Sequence, residues 1–144
     1  MKKITLKLFE IYSLSAEING VSNQQTQEVV LTGLLKEKLS LKTKFWLTDL
    51  SKKVQEVVDT ANKLKEDMIK KHGTADKDGN VMIQMFLDEE NTQVNPQYQA
   101  FVNDFNELLQ EDKELEYKGF VIDEFENIET SENYAIFYKF ITAD

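Results

Sequence analysis

Seven apolar residues keep a seven-residue beat through the middle of this chain. Leu47, Leu50, Val54, Val57, Ala61, Leu64 and Met68 recur at alternating steps of three and four. Such spacing places all seven on one narrow stripe of a single long helix. The helix is expected to open near Ser40 and to close at Gly73, after Lys70, Lys71 and His72. Basic residues in a last turn suit the negative end of the helix dipole. A seam this regular needs a second helix against it. The segments before and after offer one within the chain, and another copy of the chain offers one outside it, so an internal core and an oligomer interface both stand open. The seam is in either case a candidate protein-contact surface.

Capped and periodic segments flank this spine. Residues 5–19 carry Leu8, Ile11, Tyr12, Leu14, Ala16 and Ile18 as a broad apolar face ending at Gly20. Residues 2–8 also alternate, with Ile4, Leu6 and Leu8 against Lys3, Thr5 and Lys7, so a strand at the start is the alternative. Ser22 and Gln25 have capping-box spacing and predict a second helix over 24–38. Gly33 inside it would cost about 1 kcal/mol relative to alanine, so a bend or a close contact is expected there. Asp78-Gly79 signals a hairpin, followed by a strand over 81–87. Asn95-Pro96 caps a helix over 96–111. Residues 115–122 read as a strand able to pair with 81–87. A last helix over 131–141, capped by Thr130 or Ser131, carries Tyr134, Phe137, Tyr138 and Phe140. Its apolar residues run nearly all the way round, so it is either buried on several sides or offers a second binding face. No internal repeat or low-complexity linker interrupts the chain. The expected fold is one domain over 1–144, α+β and helix-dominated, with a long central helix, several packed helices and a small antiparallel sheet.

Composition narrows the function. Cysteine is absent, which excludes disulfides, thiolate metal sites and cysteine nucleophiles. Arginine is absent too: all 17 basic residues are lysines. Without the guanidinium fork, and with net charge −9, nucleic acid is not an expected partner. Residues 1–86 hold 14 lysines against 11 carboxylates, and residues 87–144 hold 3 against 15. That acidic half is a solvated face, or a surface that docks on a basic protein. Asp76, Asp78 and Gly79 suggest a calcium loop, but its twelfth position would fall on Met85, where a bidentate carboxylate is required. The glycines form no phosphate loop and no nucleophile elbow is present. No catalytic residue, metal ligand or cofactor site is therefore expected. No membrane-spanning segment and no leader is visible, so a cytoplasmic protein is expected.

Three stretches carry a resemblance. They are LSLKTKFWLTDLSKKVQEVVDTANKLKEDMIKKHGTADKDGNVMI at 39–83, FVNDFNELLQEDKELE at 101–116 and IDEFENIETSENYAIFYKFI at 122–141. Their order resembles a loose group of small tailed-bacteriophage proteins. Those have a long lysine- and glutamate-rich helix, a charged turn ending in Asp-Gly-Asn, and a helix built on Phe-Asn and Leu-Leu. The resemblance implies a viral origin and a non-enzymatic role, and no functional residue is carried over from it. The expectation is a phage structural or virion-assembly protein acting through contacts with a phage or host protein. It would be made in the host cytoplasm and incorporated in the particle, with self-association an open possibility. The alternative is a small acidic inhibitor of a host defence or nucleic-acid enzyme.

Overall fold

A computed structural model describes residues 1–128 and 131–142. The fold is α+β and helix-dominated, with one long helix and small two-stranded sheets. The chain divides into two compact units, Met1–Val58 with Asp112–Asp144, and Asp59–Glu111.

The first unit begins with β1 (Lys2–Lys7), so the alternating reading of the N-terminus is the correct one for these residues. Helix α1 (Leu8–Asn19) follows without a break, and the Glu10 carboxylate accepts the Lys7 backbone N–H at its start. β1 pairs antiparallel with β6 (Asp112–Tyr117), Lys2 opposite Tyr117 and Lys7 opposite Asp112. Lys3 lies 3.7 Å from both Glu114 and Glu116, and Lys7 3.5 Å from Asp112, so a basic strand sits on an acidic one. The sequence-based pairing of 115–122 with 81–87 is therefore corrected. The alternating, oppositely charged β1 supplies better cross-strand partners than the neutral residues after Asp78-Gly79.

The helix expected over 24–38 is absent. In its place stand the hairpin of β2 (Val21–Ser22) and β3 (Val29–Leu31), then one 3-10 turn at Leu34–Lys36. Asn23 organises the hairpin loop: its Oδ1 accepts the N–H groups of Gln25 and Thr26. Gln27 takes a positive φ of 59°, which no helix tolerates. β-Branched Val29 and Val30 favour the strand.

Helix α2 (Leu41–His72) is the spine, as its periodicity predicts. The second unit holds its residues from Asp59 on, the short hairpin of β4 (Thr74–Ala75) and β5 (Val81–Met82), and α3 (Pro96–Leu109). The Asp76 carboxylate forms the hairpin turn by accepting the N–H groups of Asp78 and Asn80, and Gly79 supplies φ 84°. Asn95 caps α3 by accepting the Gln97 N–H at 3.0 Å. Its amide also donates to the Gln84 carbonyl at 2.8 Å.

The C-terminal segment differs most from expectation. Residues 131–141 do not form an α-helix. They form two 3-10 turns, Ser131–Tyr134 and Phe137–Phe140, after an earlier one at Ile122–Phe125. β7 (Phe120–Val121) pairs in parallel with β8 (Ile141–Thr142). Within residues 131–141 the fully buried rings are Tyr134, Phe137 and Phe140, three residues apart, which is the period of a 3-10 turn rather than an α-helix. Phe137 and Phe140 join Tyr117, Phe120 and Phe125 in a ring cluster of edge-on and stacked pairs, with Phe120 and Phe137 edge-on at 5.3 Å and Tyr117 and Phe140 edge-on at 4.8 Å, and Tyr134 belongs to the same core. This cluster, with Ile11, Leu14, Ile18, Leu34, Leu47, Leu50 and Val54, is the core of the first unit. Among the described residues no helix is long and apolar enough to cross a membrane.

Candidate functional site

The seam residues fall into three groups. Leu47, Leu50 and Val54 are buried in the first unit, and Val57 is half-buried against the same core. Ala61, a residue of the second unit, is buried. Met68 is half-buried and Leu64 is exposed at 43%. The buried line runs 47, 50, 54, 58, 61, with Val58 where the seven-residue beat places Val57. A straight helix has 3.6 residues per turn and drifts about 20° per heptad, so a strict heptad leaves the buried side within two repeats. Within the second unit α2 makes polar contacts. Lys65 Nζ stands 5.2 Å from the Phe105 ring centre, and His72 Nε2 lies 2.7 Å from Asp104 Oδ2. His72 thus ties α2 to α3 as well as ending its helix.

The second candidate surface is largely internal. Tyr134, Phe137 and Phe140 have no exposed area, so the reading of a partner-binding aromatic helix face is corrected for these three. They are held in place by polar clamps. The Tyr134 hydroxyl donates to Glu37 at 2.7 Å, and Lys139 pairs with Glu10. The Phe137 and Ile136 N–H groups donate to the two oxygens of Glu17, at 2.9 and 3.3 Å. Glu17 is itself buried on α1, and burial raises its carboxyl above the usual range, partly opposed by these two bonds. Tyr138 alone of the four reaches a surface, in an open cleft of about 420 Å³ with Ile122, Phe125, Glu126 and Ile128.

No protein-family model, curated protein or solved structure matches this chain. Its candidate surfaces therefore rest on geometry alone.

Two apolar surfaces lie outside the residues the sequence singles out. One is the outer face at the start of α2. Ser40 caps the helix by accepting the Thr43 N–H at 3.1 Å, and buried Thr43 donates its hydroxyl to Glu124 at 3.0 Å. These bonds turn Thr43 and Leu47 inward. Leu41 and Phe45, one turn apart, are left facing out at 86% and 65% exposure. Phe45 meets half-buried Trp46 edge-on at 5.0 Å, and Lys118 Nζ sits 4.6 Å above the Trp46 ring. Trp46 thus packs against the core of the first unit, with a cation over its face.

The other surface belongs to the second unit, residues 85–94. Asp88 ties this loop by accepting the N–H groups of Thr92 and Gln93 and the Thr92 hydroxyl. Leu87 N–H donates to the Gln93 carbonyl, Asn95 N–H to the Met85 carbonyl, and Phe86 bridges Val94. The loop so fixed exposes Met85, Leu87 and Val94 beside Glu89 and Glu90. Among the described residues no group of three or more His, Cys, Asp or Glu side chains is gathered to hold a metal ion.

Proposed function

We propose that this chain is a non-enzymatic bacteriophage protein that works by contact with other proteins, as a structural or assembly component of the particle. The observation that carries the protein-contact reading is the thin interior of the second unit. Within residues 59–111 only Ala61 and Asn95 are buried, and α3 has no buried residue at all. Leu64, Met82, Met85, Leu87 and Val94 remain exposed there. Apolar area left in water lowers the stability of a small unit and is recovered when a partner covers it. The phage part of the reading is supported by the resemblance over residues 39–141. It adds that the partner is a phage or host protein and that the chain is made in the host cell.

Quantitative mass spectrometry of purified particles, from the phage genome that encodes the chain, tests this. The expected result is the chain at a fixed copy number per particle. Finding it only in infected cytoplasm, early and never in particles, would instead favour a small acidic inhibitor of a host enzyme. That alternative draws on the acidic half, residues 87–144, of which Asp112, Glu114 and Glu116 are already paired with Lys3 and Lys7, while the lysine-free run 87–111 lies outside that pairing.

A further inference from the structure

The outer face of α2 at Leu41 and Phe45 and the loop at 85–94 are complementary in both polarity and charge. Leu41 and Phe45 are flanked by Lys42 and Lys52, both exposed, with Lys44 half-buried and Lys118 above the adjoining Trp46. The one carboxylate on this stretch of α2, Asp49, is occupied by Lys53 at 3.3 Å. The face is therefore an apolar pair inside a cationic rim. It calls for an occupant that offers apolar side chains beside carboxylates. The loop has that chemistry: Met85, Leu87 and Val94 beside Glu89 and Glu90, in a stretch without a lysine from residue 78 to residue 112. Its internal bonds through Asp88 hold it in shape before any contact, which lowers the ordering cost of binding.

We propose that the Leu41–Phe45 face of one copy of this chain docks the 85–94 loop of a second copy. The contact uses two different surfaces, so it is head-to-tail. Each copy keeps one unused face and one unused loop, and the association closes into a ring or extends as a filament. It rests on the reading of the chain as a structural component, and gives that reading a mode of assembly. The rim charges make the association salt-sensitive, and the apolar pair makes it persist in part at high salt.

Sedimentation velocity over a wide concentration range, at low and high salt, tests it on the full chain. Wild type should show concentration-dependent oligomers. Phe45→Asp and Leu87→Lys replace exposed side chains, so both should unfold with wild-type cooperativity by circular dichroism while remaining monomeric. Each should weaken association by about thirtyfold or more, the scale of losing a central contact residue. The decisive sample is an equimolar mixture of the two variants. One still has an intact loop and the other an intact face, so the mixture should form dimers and stop there. A wild type that stays monomeric, variants that associate undiminished, or a mixture that stays monomeric while wild type associates would each overturn the proposal. So would binding of the wild type, but not of Phe45→Asp, to anionic phospholipid vesicles without self-association, since the face would then be a lipid contact. A monomer in solution that is nonetheless found in particles sinks this inference and leaves the structural reading standing. An oligomer absent from particles does the reverse.

Discussion

Gly20 and Gly33 meet backbone to backbone. A Cβ built on Gly33 would lie 2.5 Å from the Gly20 nitrogen, and one built on Gly20 would lie 2.4 Å from the carbonyl oxygen of Thr32. Both glycines have positive φ, 83° and 93°. This contact closes the segment holding the β2–β3 hairpin and brings Leu34 to the core against α1. Any side chain at either position meets rigid backbone in a conformation L-residues disfavour. Gly33→Ala should therefore destabilise the first unit by at least about 2 kcal/mol, read as a lowered midpoint in urea. An unchanged midpoint would mean that the two strands can part without loss.

The gradient along α2 separates buried from exposed seam positions. Leu50 is 1% exposed and Leu64 is 43% exposed, yet both keep the same heptad beat. Leu50→Ala removes contacts inside the core and should cost about 2–5 kcal/mol. Leu64→Ala should stay within about 1 kcal/mol. Equal losses at the two positions would show that the heptad, and not the drifting buried line, describes what α2 packs against.

The elements legible in the sequence are those fixed by neighbours along the chain. Ser40, the apolar period and the basic end at Lys70, Lys71 and His72 define α2; Asn95-Pro96 defines α3. Where the outcome depends on distant residues, local signals mislead. Ser22 and Gln25 have the spacing of a helix start, but the Gly20–Gly33 contact and the positive φ of Gln27 make that segment a hairpin. β1 finds its partner more than a hundred residues away, through charge pairs that periodicity within one segment does not reveal. The rings at 134, 137 and 140 are spaced by three, a signal for 3-10 geometry that an apolar run of α-helical length conceals. The candidate site was the least legible part. Leu41 and Phe45 stand out only once the buried side of α2 is known, because an exposed apolar pair and a buried one look alike in sequence.

Glu17 gives the first unit a distinct pH dependence. Burial raises its carboxyl above the ordinary value of 4.5, while the Phe137 and Ile136 N–H groups pull the other way. A raised folded value means that the native state holds this proton more tightly than the unfolded chain. The contribution is then fully favourable below the unfolded value and is lost as pH rises through the folded one. Glu17→Gln has no such proton. Its stability relative to wild type should increase as pH goes from about 4.5 toward neutrality. The variant also turns one N–H acceptor into a donor, an offset that pH does not change. Urea unfolding of both proteins at matched pH reads the difference. A constant difference across that window would show that Glu17 ionises as it does in the unfolded chain. Comparing the two proteins removes the opposing effect of Glu10, whose carboxyl is held low by Lys139 and the Lys7 N–H.

The pair of His72 and Asp104 closes the second unit with the opposite sign. The hydrogen bond from His72 lowers the Asp104 carboxyl below its ordinary value of 3.8, with smaller help from the nearby charges of His72 and Lys71. A lowered folded value contributes stability above the unfolded value, and that contribution is lost as pH falls through the folded one. The bond joins the last turn of α2 to α3, where few apolar side chains are buried to share the load. Local opening there should respond to this one bond more than global unfolding does. Asp104→Asn should speed amide exchange at residues 69–72 relative to wild type at pH 5–6, while amides around Leu50 keep their protection. As pH is lowered below the ordinary value of 3.8 and on through the lower folded one, the ratio of the two rates should shrink, because Asp104 of the wild type then gains its own proton. Equal exchange in variant and wild type throughout would assign the closing of this end to Lys65 on Phe105 and the apolar side chains of α3 instead.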